Sequence, residues 1–196
     1  MAFFPRRFLF LPFSLLAALP LWARGQAPET KFGHHRYAQA PASELRDVGP
    51  YRATGRVVRM RRQAAEAFLK MAAAARAGKI SLIPVSGFRT IDYQEGLFDN
   101  AIRKQGSPQA AAKWVAPPGY SEHHTGWTLD LGDETAPSTD VEPSFDQTPA
   151  FSWLKSHAAQ FGFELSFPKD NPQGVSYAPF HWRFVGVEES KKLFHK

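Results

Sequence analysis

His123 and Asp130 stand seven residues apart in Ser121-Glu122-His123-His124-Thr125-Gly126-Trp127-Thr128-Leu129-Asp130, and His181 follows in the aromatic segment Phe180-His181-Trp182-Arg183. Two imidazoles and a carboxylate are a common ligand set for a catalytic zinc whose fourth position stays open. A His and an Asp at this spacing, with a distant second His, recur in many proteins, and ligand type alone leaves zinc and other divalent ions open. Arg89 is a second candidate. It lies in Ser86-Gly87-Phe88-Arg89-Thr90, where small residues let a ligand approach, and its planar fork suits a carboxylate. The plainer reading of Arg89 is a surface salt bridge, for instance with Asp92. A metal beside a carboxylate clamp is the arrangement of a carboxypeptidase, in which the clamp holds a free C-terminus and the metal polarises the last amide.

Such residues need a rigid frame. Ala64, Ala67, Phe68, Met71, Ala72 and Ala75 follow helical spacing, with Gly78 as a stop. Lys79 to Val85 alternates like a strand. Asp92 and Glu95 suggest a capping pair for a second helix reaching about Gln105. Ala110 to Ala112 allow one or two helical turns. Trp127 to Leu131 alternates, with Thr128 and Asp130 on one face and Leu129 and Leu131 on the other. Residues 132–146 form a polar, acidic loop, read as solvated rather than as a rim or lid. Thr148-Pro149 opens a third helix that Gly162 ends, with His157 as a structural histidine. Phe163 to Phe167 and Phe180 to Val185 are further strands. Without regular β-α-β alternation the expected fold class is α+β, a small antiparallel sheet flanked by helices.

The bulk composition narrows the partners. Arg6 and Arg7, the apolar run from Phe8 to Leu21 and the small residues Gly25 and Ala27 have the form of a secretory signal peptide over residues 1–27. The run is short and broken by Pro12 and Pro20, so no stable membrane span is expected after cleavage. No cysteine follows it, which excludes a lipoprotein anchor and any disulfide. Removing Arg6, Arg7 and Arg24 leaves 21 basic against 18 acidic residues, a net charge of +3 in place of +6. That suits work beside an anionic polymer but does not indicate nucleic acid. Residues 28–50 read as an N-terminal arm or linker, with His34-His35 as a solvated pair, and residues 51–196 as one domain.

Three ordered motifs then carry a resemblance. Ser86-Gly87-Phe88-Arg89, Ser121-x-His123-x-x-Gly126-x-Thr128-x-Asp130 and Ala178-Pro179-Phe180-His181-Trp182-Arg183 are similar to motifs of the VanY-like zinc D-Ala-D-Ala carboxypeptidases. These are peptidoglycan metallopeptidases that share the Hedgehog-type fold. The resemblance spans about Arg62 to Gly186. It implies zinc as cofactor, with His123, Asp130 and His181 as ligands. It implies a peptidoglycan stem peptide as partner, with Arg89 meeting the substrate carboxylate and Ser86, Gln94 and Ser121 lining the pocket. With the signal-peptide pattern, the expectation is an exported monomer of the periplasm or cell envelope. Cleavage of a D,D or an L,D bond stays open. One departure matters: the family's general base, a Glu three residues before the last ligand, is here Ala178. Losing a general base costs roughly 10²- to 10⁴-fold in rate. The expectation is a slow carboxypeptidase that removes terminal D-Ala, with an inactive peptide-binding module of the same fold as the alternative. Glu122 and Glu164 are the candidate replacement bases.

Overall fold

The computed structural model describes Met1 and residues 29–195; the expected signal peptide, apart from Met1, lies outside the described residues. The elements run β1 (Thr30–Lys31), β2 (His34–His35), β3 (Leu45–Pro50), β4 (Val57–Arg61), α1 (Arg62–Ala77), β5 (Leu82–Ser86), α2 (Ile91–Gln105), α3 (Pro108–Ala111), β6 (Thr128–Asp133), α4 (Pro149–His157), β7 (Phe163–Leu165), β8 (His181–Phe184) and α5 (Glu188–Phe194). The central sheet has the order β5-β6-β8-β7, antiparallel throughout. This is the α+β architecture that the mixed pattern of elements implies.

β6 is buried on both faces because it is an inner strand. Leu129 and Leu131 enter a core shared with Phe68 and Met71 of α1 and Leu154 of α4. α1 buries Ala64, Phe68, Met71 and Ala75 on one stripe, at the spacing the sequence shows. β5 is an edge strand, which is where Pro84 can sit without breaking a ladder. Its register against β6 shifts between Pro84 and Ser86. Such a bulge bends a strand and re-aims the residues beyond it. Here it sends Gly87, Phe88 and Arg89 back across Asp130.

Three expectations need correction. Residues 29–50 are packed, not a free linker. β3 pairs with β4, and Tyr37 and Val48 join the main core. Scattered Pro and Gly hid this, because the two apolar anchors are far apart in sequence. α2 is capped by Thr90, whose Oγ1 accepts from the Tyr93 N–H at 3.1 Å, and not by Asp92 with Glu95. The acidic loop 132–146 folds into two 3₁₀ turns, Pro137–Thr139 and Pro143–Gln147. Its Asp140 accepts from Arg52 at 3.0 Å and from Tyr51 at 3.1 Å. Among the described residues no helix is long and apolar enough to cross a membrane.

Candidate metal centre

Asp130 and His181 are direct cross-strand partners on β6 and β8, so sheet register alone brings them together. His123 arrives from a 3₁₀ turn, Glu122–Thr125, that enters β6. The three side chains offer ligand atoms within 4.8 Å of one another, and all three are buried. His123 Nε2 lies 3.2 Å from Asp130 Oδ2, and His181 Nδ1 lies 2.9 Å from Asp130 Oδ1. Tetrahedral zinc with bonds of about 2.0–2.1 Å separates its ligands by roughly 3.3 Å. The donor set and its spacing therefore fit such an ion.

The other nitrogen of each imidazole fixes its role. His123 Nδ1 is 2.7 Å from the Gly87 carbonyl, which can only accept, so Nδ1 carries the proton and Nε2 keeps its lone pair. Gly87 is needed here. A Cβ at that position would stand 2.3 Å from the Arg59 carbonyl oxygen, because β4 passes directly over the turn. His181 Nε2 is 3.0 Å from Glu122 Oε2, which leaves Nδ1 facing Asp130. Glu122 is in turn held by Ser166 Oγ at 2.7 Å and by Arg183 Nη1 at 3.0 Å. A carboxylate behind a ligating histidine sets its tautomer and raises its basicity.

The electrostatics follow from this packing. Burial raises the Glu122 carboxyl, but the His181 hydrogen bond, the charges of His181 and Arg183, and Ser166 bring it down to about 2. Burial also acts against a charged His181, yet Asp130 and Glu122 on either side lift it to about 8. Burial and the Arg89 charge push His123 down to about 4, so its lone pair is free at neutral pH.

Arg89 pairs with Asp130, not with Asp92: its Nη2 lies 2.6 Å from Asp130 Oδ2. Ser86 Oγ accepts from Arg89 Nε at 2.9 Å. Ser86 does not line the cavity; it orients the guanidinium from behind. Gln94 gives its amide N–H to the Ala116 carbonyl at 2.8 Å. Ser121 Oγ accepts from the His123 backbone N–H at 3.3 Å. Arg89, Gln94, Ser121 and the three candidate ligands all border one cavity of about 750 Å³. His124, beside a candidate ligand, is structural: Nδ1 bonds the Arg89 carbonyl at 2.8 Å and Nε2 accepts from Gly119 N at 3.0 Å. His157 is structural too, with Nδ1 on the Trp153 carbonyl at 2.8 Å.

Ala178 also lines this cavity. Neither expected replacement base is free to serve. Glu122 sits behind His181, and Glu164 binds Arg183 Nε at 2.7 Å and His195 at 2.9 Å. The loop read as solvated contributes Val141 and Glu142 to the cavity rim. His34, read as solvated, is buried and lines the cavity. Its aromatic and polar surroundings come from residues far along the chain, so nothing local marks it. Glu122 was visible only as a neighbour of a ligand; its role needed β8 in place.

A buried His-Asp-His cluster with an ordered outer layer, opening on a cleft beside an arginine, could hold a single metal ion on an α+β frame. Comparison with known proteins narrows the class. Residues 57–187 match the VanY family of D-alanyl-D-alanine carboxypeptidases, and the chain belongs to that family. It is 35% identical over 133 residues to a D-alanyl-D-alanine carboxypeptidase of Enterococcus faecalis, a match covering 63% of this chain and 47% of that protein. The chain spans about half the length of the curated relatives it matches. Among solved structures it resembles the LD-carboxypeptidase LdcB, with TM-score 0.67 and 29% identity over 81% of this chain and 74% of that one. It also resembles a glutamate-to-alanine variant of the D,D-pentapeptidase VanY bound to Zn(II), with TM-score 0.59 and 28% identity over 81% and 89% of the two chains.

Proposed function

We propose that the protein is an exported, monomeric zinc-dependent carboxypeptidase that removes the terminal D-Ala of peptidoglycan stem peptides, slowly because Ala178 stands at the general-base position. The observation that supports this most directly is the geometry of His123, Asp130 and His181, held by Gly87, Arg89 and Glu122 and open to the cavity. These three side chains would hold the ion. A zinc there supplies a Lewis acid for the amide carbonyl and brings the pKa of water to about 7.

The protein's own residues do the rest. Arg89, its fork held in place by Ser86 and Asp130, offers its remaining N–H groups to the free carboxylate of the peptide. Glu122 keeps His181 in the tautomer that leaves Nδ1 free. Trp114, 58% exposed at the cavity edge, offers a flat face to the upstream part of the peptide. The methyl group of Ala178 can neither accept a proton nor return one to the leaving amine, which costs about 10²- to 10⁴-fold in rate.

That last point favours a second reading, a module that holds the peptide without cutting it. The specific observation is the commitment of Glu122 and Glu164 to other partners. One assay decides. Zinc-loaded protein is incubated with a stem pentapeptide, and released D-alanine is measured against a chelator-treated control. Slow, metal-dependent release supports the enzyme; zinc-dependent binding without release supports the module; neither binding nor release removes both.

A further inference from the structure

We propose that His34 is a substrate-contacting residue, whose Nδ1 accepts a hydrogen bond from a backbone N–H of the peptide in the cleft. This deepens the reading of the cleft as a peptide site and rests on it. His34 Nε2 lies 2.7 Å from the Ala112 carbonyl oxygen. A carbonyl has no proton to give, so Nε2 carries one and Nδ1 keeps its lone pair. Among the described residues Nδ1 has no hydrogen-bond partner. Among the described residues, Thr128 Oγ1 is the one fully buried side-chain polar atom without a partner. The unpaired Nδ1 is therefore reached by solvent, although the residue is only 4% exposed, and the ring lines the cavity.

The position is built, not accidental. Phe32 and Gly33, at φ 52° and 87°, form the tight turn that leads into β2. A Cβ on Gly33 would stand 2.0 Å from the Gln173 carbonyl, and Gln173 Nε2 donates to the Gly33 carbonyl at 3.0 Å. The next strand residue is thus fixed from both sides. Phe167 touches both rings, 6.3 Å from His34 and 4.9 Å from His181 by centroids, so the imidazole stands near the candidate metal centre without belonging to it. Burial lowers the His34 pKa, which keeps the lone pair available at neutral pH.

The chemistry of the lining says what Nδ1 would meet. Arg89, Lys104, Lys113 and Trp114 are donors; of the lining acids, Glu122 and Asp130 are already committed and Glu142 stands exposed at the rim, away from the buried wall that His34 forms. A peptide brings as many N–H donors as carbonyls. In a donor-rich cleft a bound N–H needs an acceptor, because leaving it unpaired costs more than the bond contributes. The neutral Nδ1 of His34 meets that need.

The test uses the zinc-loaded full chain and an N-acylated stem pentapeptide. Three analogues each carry one methylated amide nitrogen among the last three peptide bonds. Affinity is read by calorimetry, with released D-alanine assayed in the same samples. One analogue should bind the unaltered protein about five- to tenfold more weakly than the parent, the range of one neutral hydrogen bond. His34→Phe should bind the parent and that analogue equally, both at the weaker value, with unchanged zinc content. A methylation penalty of the same size in His34→Phe would overturn the proposal. Should that variant fail to fold, the ¹⁵N resonance of His34 Nδ1 in the unaltered protein serves instead. It should move upfield when the parent peptide binds, and an unmoved resonance overturns the proposal. Loss of zinc-dependent binding of the parent by the unaltered protein would sink the peptide-site reading itself, a result distinct from both.

Discussion

His181 has two sides, and they are finished differently. On the inner side, Glu122, Ser166 and Arg183 form a closed chain of hydrogen bonds, and the carboxylate of Asp130 is shared among His123, His181 and Arg89. On the cavity side stand the methyl of Ala178, the exposed Glu142 and the exposed Trp114. The inner side does what a metal site needs, which is to hold ligands in one tautomer and one orientation. The cavity side, on the function proposed above, would hold a substrate while Ala178 offers no group to move a proton. Binding and chemistry are thus separable here, and the separation falls between residues only a few positions apart on the chain.

The sharpest way to break this contrast is to place a carboxyl at position 178. Ala178→Glu should raise the rate of D-alanine release by about 10²- to 10⁴-fold with zinc content unchanged. No gain would mean that the cavity side lacks more than a base. The reverse experiment disturbs the inner side. Glu122→Gln removes the charge behind His181 and leaves Arg183 with one fewer anion. Zinc affinity, measured by competition with a chromophoric chelator, should fall about 10- to 100-fold. An unchanged affinity would show that the outer layer is decoration. A third substitution tests the frame. Gly87→Ala places a methyl against the Arg59 carbonyl and should cost about 1–3 kcal/mol in thermal or urea unfolding. Zinc binding should weaken alongside it, because His123 Nδ1 bonds the carbonyl of that same glycine. The smallest effect concerns the one flaw of the inner side. Thr128 Oγ1 is buried without a partner. Thr128→Val removes it at nearly constant shape and should leave stability unchanged or raise it by about 1 kcal/mol. A clear loss would mean that the hydroxyl has a bound water.

Much of the frame was legible. The α1 stripe, the capped start of α4 at Thr148-Pro149 and the alternation in β6 all show in local spacing, because each element buries one face and repeats with its own period. The candidate ligands were legible for a different reason: their motifs are distinctive. What was lost were pairings between distant segments. In the hairpin of β3 and β4, β4 alternates, burying Val58 and Met60, but β3 buries only Leu45 and Val48 and is specified by its pairing with β4. The rim formed by residues 141–143 looked solvated since its anchors, Arg52 and Tyr51, lie about ninety positions earlier.

The sequence by itself named the side chains that could meet a metal, a matter of residue type and order, and the family resemblance drew attention to Ala178. Only the tertiary structure decided what stands behind them. Glu122 became a support for His181, Ser86 a support for Arg89, and His34 a wall of the cleft, because sheet register and a bulge in β5 bring together atoms the chain keeps far apart. Hydrogen bonds act over a few ångströms in space, and no spacing along a polypeptide encodes that distance until the core has closed.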